Sequence, residues 1–140
     1  MKTPVILDTG PLVGLLDARD EHHEWTVERM KQVASPMITC ESVVSEALFV
    51  LGRRKDPIHG LMALLEGGQI RITQSLALER ERARVFEILL TYNNLPPSLA
   101  DACLVRMSEN HPRRKIFTLD NHFRIYRRNG DGPIPLLIPA

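Results

Sequence analysis

The chain has 140 residues, 44% apolar and 25% charged, with a net charge of +1, the size and balance expected of one soluble globular domain spanning residues 1–140 with a real core. The opening MKTPVILD lacks the long apolar stretch of a secretory signal, and no run approaches the roughly 18 apolar residues of a membrane span. Cys40 and Cys103 stand alone in apolar segments, which reads as two free, buried thiols suited to a reducing cytoplasm and excludes a zinc site built on Cys/His spacing.

In chain order, residues 3–8 read as a short buried strand. Gly10-Pro11 starts a helix through about Asp17, since Pro suits a first helical turn. A second helix runs from Asp20 or Glu21 to about Ala34, and Pro36 to Thr39 is a brief strand. Residues 41–53 form a strongly apolar helix. Another begins at Asp56-Pro57 and stops at Gly67-Gly68. Gln69 to Thr73 is a strand, residues 76–92 an amphipathic helix, and Ser98 caps a helix to about Glu109. Lys115 to Leu119 is a strand, Asn121 to Arg128 a short helix, and Ile134 to Ile138 a last strand. Strands that alternate with helices predict a mainly parallel sheet covered by helices on both faces, an α/β architecture in three layers.

Charge is spread unevenly. Residues 1–50 carry 4 basic against 8 acidic side chains, and residues 101–140 carry 7 basic against 4 acidic. The late basic residues cluster as Arg113-Arg114-Lys115 and as Arg124, Arg127 and Arg128. Such asymmetry guides a polyanion, or is a plain solvated face.

Four acids stand in unusual places. The apolar run Val5-Ile6-Leu7 stops at Asp8, and the strand KIFTL stops at Asp120. Ligands of open parallel sheets gather outside the carboxyl ends of the strands, so both carboxylates are expected in one crevice. The alternative for each is a strand-end turn or helix cap. Asp8-Thr9-Gly10 is also the tripeptide of aspartic proteases. Those are built almost wholly from strands, and this helix-rich chain excludes that reading. Glu46 is the only charge in Ser42-Val-Val-Ser-Glu46-Ala-Leu-Phe-Val-Leu51. Its neighbours three and four positions away are Val43, Phe49, Val50 and Ser42, so it is expected off any broad solvated face. Asp101, in Ser98-Leu-Ala-Asp101-Ala-Cys-Leu-Val105, has Leu104 and Val105 as helical neighbours. It also completes a possible capping box with Ser98. Four carboxylates in one cleft repel one another, and a hard divalent cation with oxygen ligands would compensate them.

These segments resemble the PIN-domain nucleases, most closely the small VapC-type ribonuclease toxins. VILDTGPLVGLLD resembles the family's first motif and carries its acid onto Asp8. SEALFVLGR carries the second onto Glu46, and LADACLV the third onto Asp101. Thr118-Leu-Asp120-Asn-His-Phe123 resembles the final motif, with Asp120 as its acid and Thr118 as its hydroxyl residue. The ordered set spans essentially the whole chain. Arg106 and Met107, in a helix less alanine-rich than is usual there, and Asn121 depart from the pattern without touching the acids.

The resemblance implies a PIN-like three-layer α/β/α sandwich and hydrolytic cleavage of single-stranded or looped RNA. It implies Mg²⁺ or Mn²⁺ held by Asp8, Glu46, Asp101 and Asp120, with Thr9 and Thr118 bonding the carboxylates or a metal-bound water. Late Arg and Lys residues would hold RNA phosphates. No His is required as a base, and His22-His23-Glu24 at a helix start reads as a solvated turn rather than a metal trio. The family further implies a homodimer and a small cognate antitoxin. Leu12, Leu15, Leu16 and Trp25 are candidate contacts for it, with core packing the alternative. Two rival readings share the fold: an RNA-processing nuclease without an antitoxin, and a non-catalytic binding scaffold. The presence of all four acids argues against the second.

Overall fold

The structure, a computed structural model, describes residues 1–140. Five strands form one parallel sheet in the order β3-β2-β1-β4-β7, where β1 is Val5–Leu7, β2 Met37–Cys40, β3 Ile70–Gln74, β4 Lys115–Phe117 and β7 Leu136–Leu137. Helices connect them: α1 (Thr9–Leu16), α2 (His23–Met30), α3 (Glu41–Leu51), α4 (Lys55–Glu66), α5 (Glu79–Thr91) and α6 (Leu99–Asn110). No helix is long and apolar enough to cross a membrane. From β1 the chain steps outward to β2 and β3, then returns to place β4 on the other side of β1. That reversal is a topological switch point, and it opens a crevice at the carboxyl ends of β1 and β4.

The central strands are three residues long because they need no more. Val5, Ile6 and Leu7 are each at most 1% exposed, covered on both faces, as parallel strands must be. One continuous core of 28 buried residues joins the layers, with Phe117, Phe123 and Tyr126 among its largest members. The candidate partner contact Leu12 lies fully inside this core. Leu15, Leu16 and Trp25 pack against it, Trp25 with its ring 5.7 Å from that of Phe117. Helices α1 and α2 meet closely at Gly14, where a Cβ would fall 2.6 Å from the Thr26 hydroxyl. His23 Nδ1 lies 2.7 Å from the Gly14 carbonyl, so that ring is engaged in holding the same crossing. Cys40 and Cys103 are free and buried.

Arg106, a departure from the family pattern, anchors α6 to α5. Its guanidinium donates to both oxygens of Glu81 at 2.6 and 3.0 Å. Arg84 makes the matching pair with Glu109.

One expected element takes another form. The helix expected over Asn121 to Arg128 is a single 3₁₀ turn, Asn121–Arg124, after which β5 (Arg127–Arg128) pairs antiparallel with β6 (Gly132–Pro133). The cause is Asn129-Gly130, both with positive φ (52° and 91°). That dipeptide favours a hairpin turn over helix continuation.

Candidate active site at the carboxyl edge of the sheet

Asp8 directly follows β1, and its backbone N–H donates to Phe117 O of β4 at 3.0 Å. The pairing Leu7↔Phe117 then sets Asp8 beside Thr118. The Thr118 hydroxyl is fully buried. It donates to Asp8 Oδ2 at 2.6 Å and accepts from Asp120 N–H at 2.9 Å. One hydroxyl thus ties the ends of both central strands.

An open cleft of about 410 Å³ lies over this point, lined by Asp8, Thr9, Gly10, Glu46, Asp101, Leu119 and Asp120. All four acids therefore line one cavity, and Thr118 supports it from beneath. No basic side chain is in the lining. Gly10 permits the two strand-end loops to touch, since a Cβ there would meet Leu119 at 2.9–3.2 Å.

Two of the four acids are N-caps and a third completes a capping box, so a capping role and a place at the cleft coincide. Asp8 caps α1, accepting from Thr9 N–H through Oδ1 at 2.7 Å. Asp101 completes a capping box, accepting from Ser98 N–H through Oδ2 at 3.0 Å. Asp120 caps the 3₁₀ turn, accepting from His122 N–H through Oδ1 at 2.8 Å. Each cap bond satisfies an orphan amide and fixes a carboxylate's orientation. It leaves Asp101 Oδ1 and Asp120 Oδ2 with no donor from the protein. Glu46 Oε2 accepts from the Thr9 hydroxyl at 3.0 Å, leaving Oε1 open as well.

Glu46 departs from expectation in its surroundings. It is solvent-exposed, and its helical neighbours Phe49 and Val50 are themselves 82% and 61% exposed. The buried seam of α3 is Val43, Ala47 and Leu51, so apolar neighbours three and four positions away did not imply burial. Glu46 reaches the cleft from its rim.

The electrostatics follow from burial. Asp8 is 7% exposed. Loss of water raises its pKa to about 7, against the lowering pull of Thr118 and Thr9, with Asp101 and Asp120 adding repulsion. Desolvation also raises Asp101, with Asp120 contributing, against the lowering pull of its bonds with Ser98 and, more weakly, of His122. The acids do not close a ready cage: no three His, Cys, Asp or Glu side chains gather as a preformed metal group. The open oxygens on hard carboxylates nevertheless suit a divalent cation that keeps waters in its shell, as Mg²⁺ does.

Two residues near the acids escaped the sequence reading. His122 Nδ1 lies 3.5 Å from Asp120 Oδ1. The Tyr126 hydroxyl is buried without a partner, and burial with Asp101 and Asp120 nearby pushes its pKa up to about 12. His122 was legible as the residue two after a capping Asp; Tyr126 left no local signal. The late basic residues divide. Arg124 lies on the 3₁₀ turn after Asp120, whereas Arg113 and Arg114 precede β4 and Lys115 opens it, at the opposite edge of the sheet.

Fold and cleft together define an α/β protein with an acidic site at the switch point of a parallel sheet. The PIN domain family model matches residues 5–129, and the chain belongs to that family. Its structure is similar to the crystal structure of VapC20 from Mycobacterium tuberculosis, a sarcin-ricin loop cleaving toxin, with a TM-score of 0.70. The match covers 84% of this chain and 90% of that one at 18% identity, so the likeness is one of fold. No curated protein sequence matches the chain.

Proposed function

We propose that the chain is a metal-dependent endoribonuclease of one nuclease domain, the toxin of a toxin–antitoxin pair acting in the cytoplasm on single-stranded or looped RNA. The observation that carries this reading is the convergence of Asp8, Glu46, Asp101 and Asp120 on one cleft with no basic side chain in its lining. Membership of the PIN family and the fold shared with an RNA-cleaving toxin support the same conclusion.

In this reading the four carboxylates hold Mg²⁺ or Mn²⁺, some through water. When bound, the cation supplies positive charge that offsets the clustered acids and the charge developing on a phosphoryl oxygen. Asp8 is the central holder, because two donors fix the position of both its oxygens at the end of β1. Thr118 positions Asp8 and Asp120 together, and Thr9 steers Glu46 inward from the rim. His122 lies beside Asp120, its Nδ1 3.5 Å from Oδ1.

A homodimer and a small antitoxin complete the proposal. The exposed Phe49 and Val50 adjoin Glu46 on α3, and an apolar surface at the rim of a site suits a protein partner laid across it.

Purified protein is expected to cut RNA with Mn²⁺ or Mg²⁺ and to stop with chelator, as mapped cleavage ends would record. Asp8→Asn and Asp101→Asn are each expected to lower the rate at least a hundredfold with the fold intact by circular dichroism, a loss of about 3 kcal/mol or more in transition-state stabilisation. Undiminished cutting by both variants refutes the site.

A further inference from the structure

A second concavity, of about 330 Å³, lies away from the cleft and is lined by Pro4, Asn110, His111, Pro112, Arg113 and Arg114. It is formed by the loop between α6 and β4 together with the residue before β1. It therefore sits at the amino edge of the sheet. The strand Val5–Leu7 separates Pro4 from Asp8, roughly 13 Å of chain, so a phosphoryl group bound in one site does not reach the other.

The polar groups of this pocket are two guanidinium groups, an imidazole and an amide, with no carboxylate in the lining. Arg114 is partly buried. Its Nη1 donates to the Val5 and Pro36 carbonyls at 2.9 and 3.2 Å, which fixes the plane of the fork. Nε and Nη2 have no acceptor in the protein. Burial lowers the Arg114 pKa, and no acid acts to restore it. Glu81, the acid that acts on His111, already accepts from Arg106, Gln74 and Asn110. Arg113 is exposed. Arg128 donates to Pro112 O at 3.3 Å, adding a third guanidinium behind the loop.

A partly buried guanidinium that keeps open N–H groups at a concavity without a carboxylate attracts an anion. A fixed fork with the Nε–H and Nη2–H donors of one edge free matches two oxygens of a phosphoryl group bidentately. We propose that the Asn110–Arg114 loop is a phosphate-binding site separate from the acidic cleft, taking either free phosphate or a backbone phosphate of RNA that extends around the protein.

The test is a titration of the full chain, metal-free, with inorganic phosphate at constant ionic strength, followed by NMR of the arginine Nε–H and histidine ring resonances. Arg114 and His111 should shift saturably, while Arg84, held by Glu109 and Glu87, stays in place. Arg113→Glu, a change at an exposed side chain that keeps the wild-type melting temperature, should weaken the binding at least tenfold. Arg114→Lys, which removes the fork but keeps the charge, should weaken it as well. A single-stranded RNA oligomer in place of phosphate separates the sources. Shifts of the same resonances at lower concentration assign the site to RNA; no response to RNA with saturable phosphate binding assigns it to free phosphate, and each supports the proposal. Equal shifts from chloride, or phosphate binding undiminished in both variants, overturn it. The readout needs no cleavage, so its failure leaves the ribonuclease reading standing.

Discussion

At the scale of single residues, Asp8 carries the largest consequence. Its folded pKa, raised to about 7 from 3.8, means that the metal-free folded state keeps a proton the unfolded chain has already lost. Stability therefore falls as pH rises from about 4 to about 7, by on the order of 4 kcal/mol across that window. Asp8→Asn has no such proton to lose. In chelator, its melting temperature should lose less than the wild type's between pH 4 and 8, and thermal melts across pH that run parallel for the two proteins would refute the assignment. Thr118 acts through its neighbours. Thr118→Val keeps the shape but strips Asp8 of a donor and leaves the Asp120 amide without its acceptor. A cost of about 1–3 kcal/mol in stability and a roughly 10- to 100-fold loss of activity is expected, measured by denaturant melts and initial rates.

At the scale of elements, the site is a by-product of how segments begin. A parallel strand that ends beneath a helix start needs a side chain to accept orphan amides, and Asp fills that need after β1 and before the 3₁₀ turn. The same cap bonds aim the carboxylates, so capping and site geometry are one arrangement. Gly10 permits two of these starts to approach each other. Gly10→Ala should push Leu119, and with it Asp120, out of place. Its expected signature is a tenfold or greater fall in kcat with a melting temperature lowered by a few degrees; wild-type kinetics would show that the close approach is irrelevant. The tail of the chain shows the limit of reading elements one at a time. Residues 121–128 carry a plausible helical pattern, yet Asn129-Gly130 turns the chain back and makes Arg127–Arg128 a strand.

At the scale of the whole molecule, the strand order joins residues more than a hundred positions apart, Asp8 and Thr118 above all. Their shared cleft is negative while the opposite edge of the sheet is positive. A divalent cation that binds only the folded state must stabilise it. Mg²⁺ or Mn²⁺ at a hundredfold excess over its Kd should add about 2.7 kcal/mol, visible as a rise of several degrees in wild-type melting and as little or none in Asp8→Asn. An equal rise in both proteins would place the ion elsewhere.

From the sequence alone came the order of strands and helices, the parallel sheet and the four acids, because each leaves a local trace: an apolar run that stops at a carboxylate, a cap residue at a helix start. Tertiary structure alone decided that Glu46 stands on an exposed rim, that Tyr126 lies beneath the acids and that the late arginines divide between two edges of the sheet. Those facts depend on which surfaces other elements cover. Periodicity along one helix reports which residues share a face, and it is silent on whether anything packs against that face.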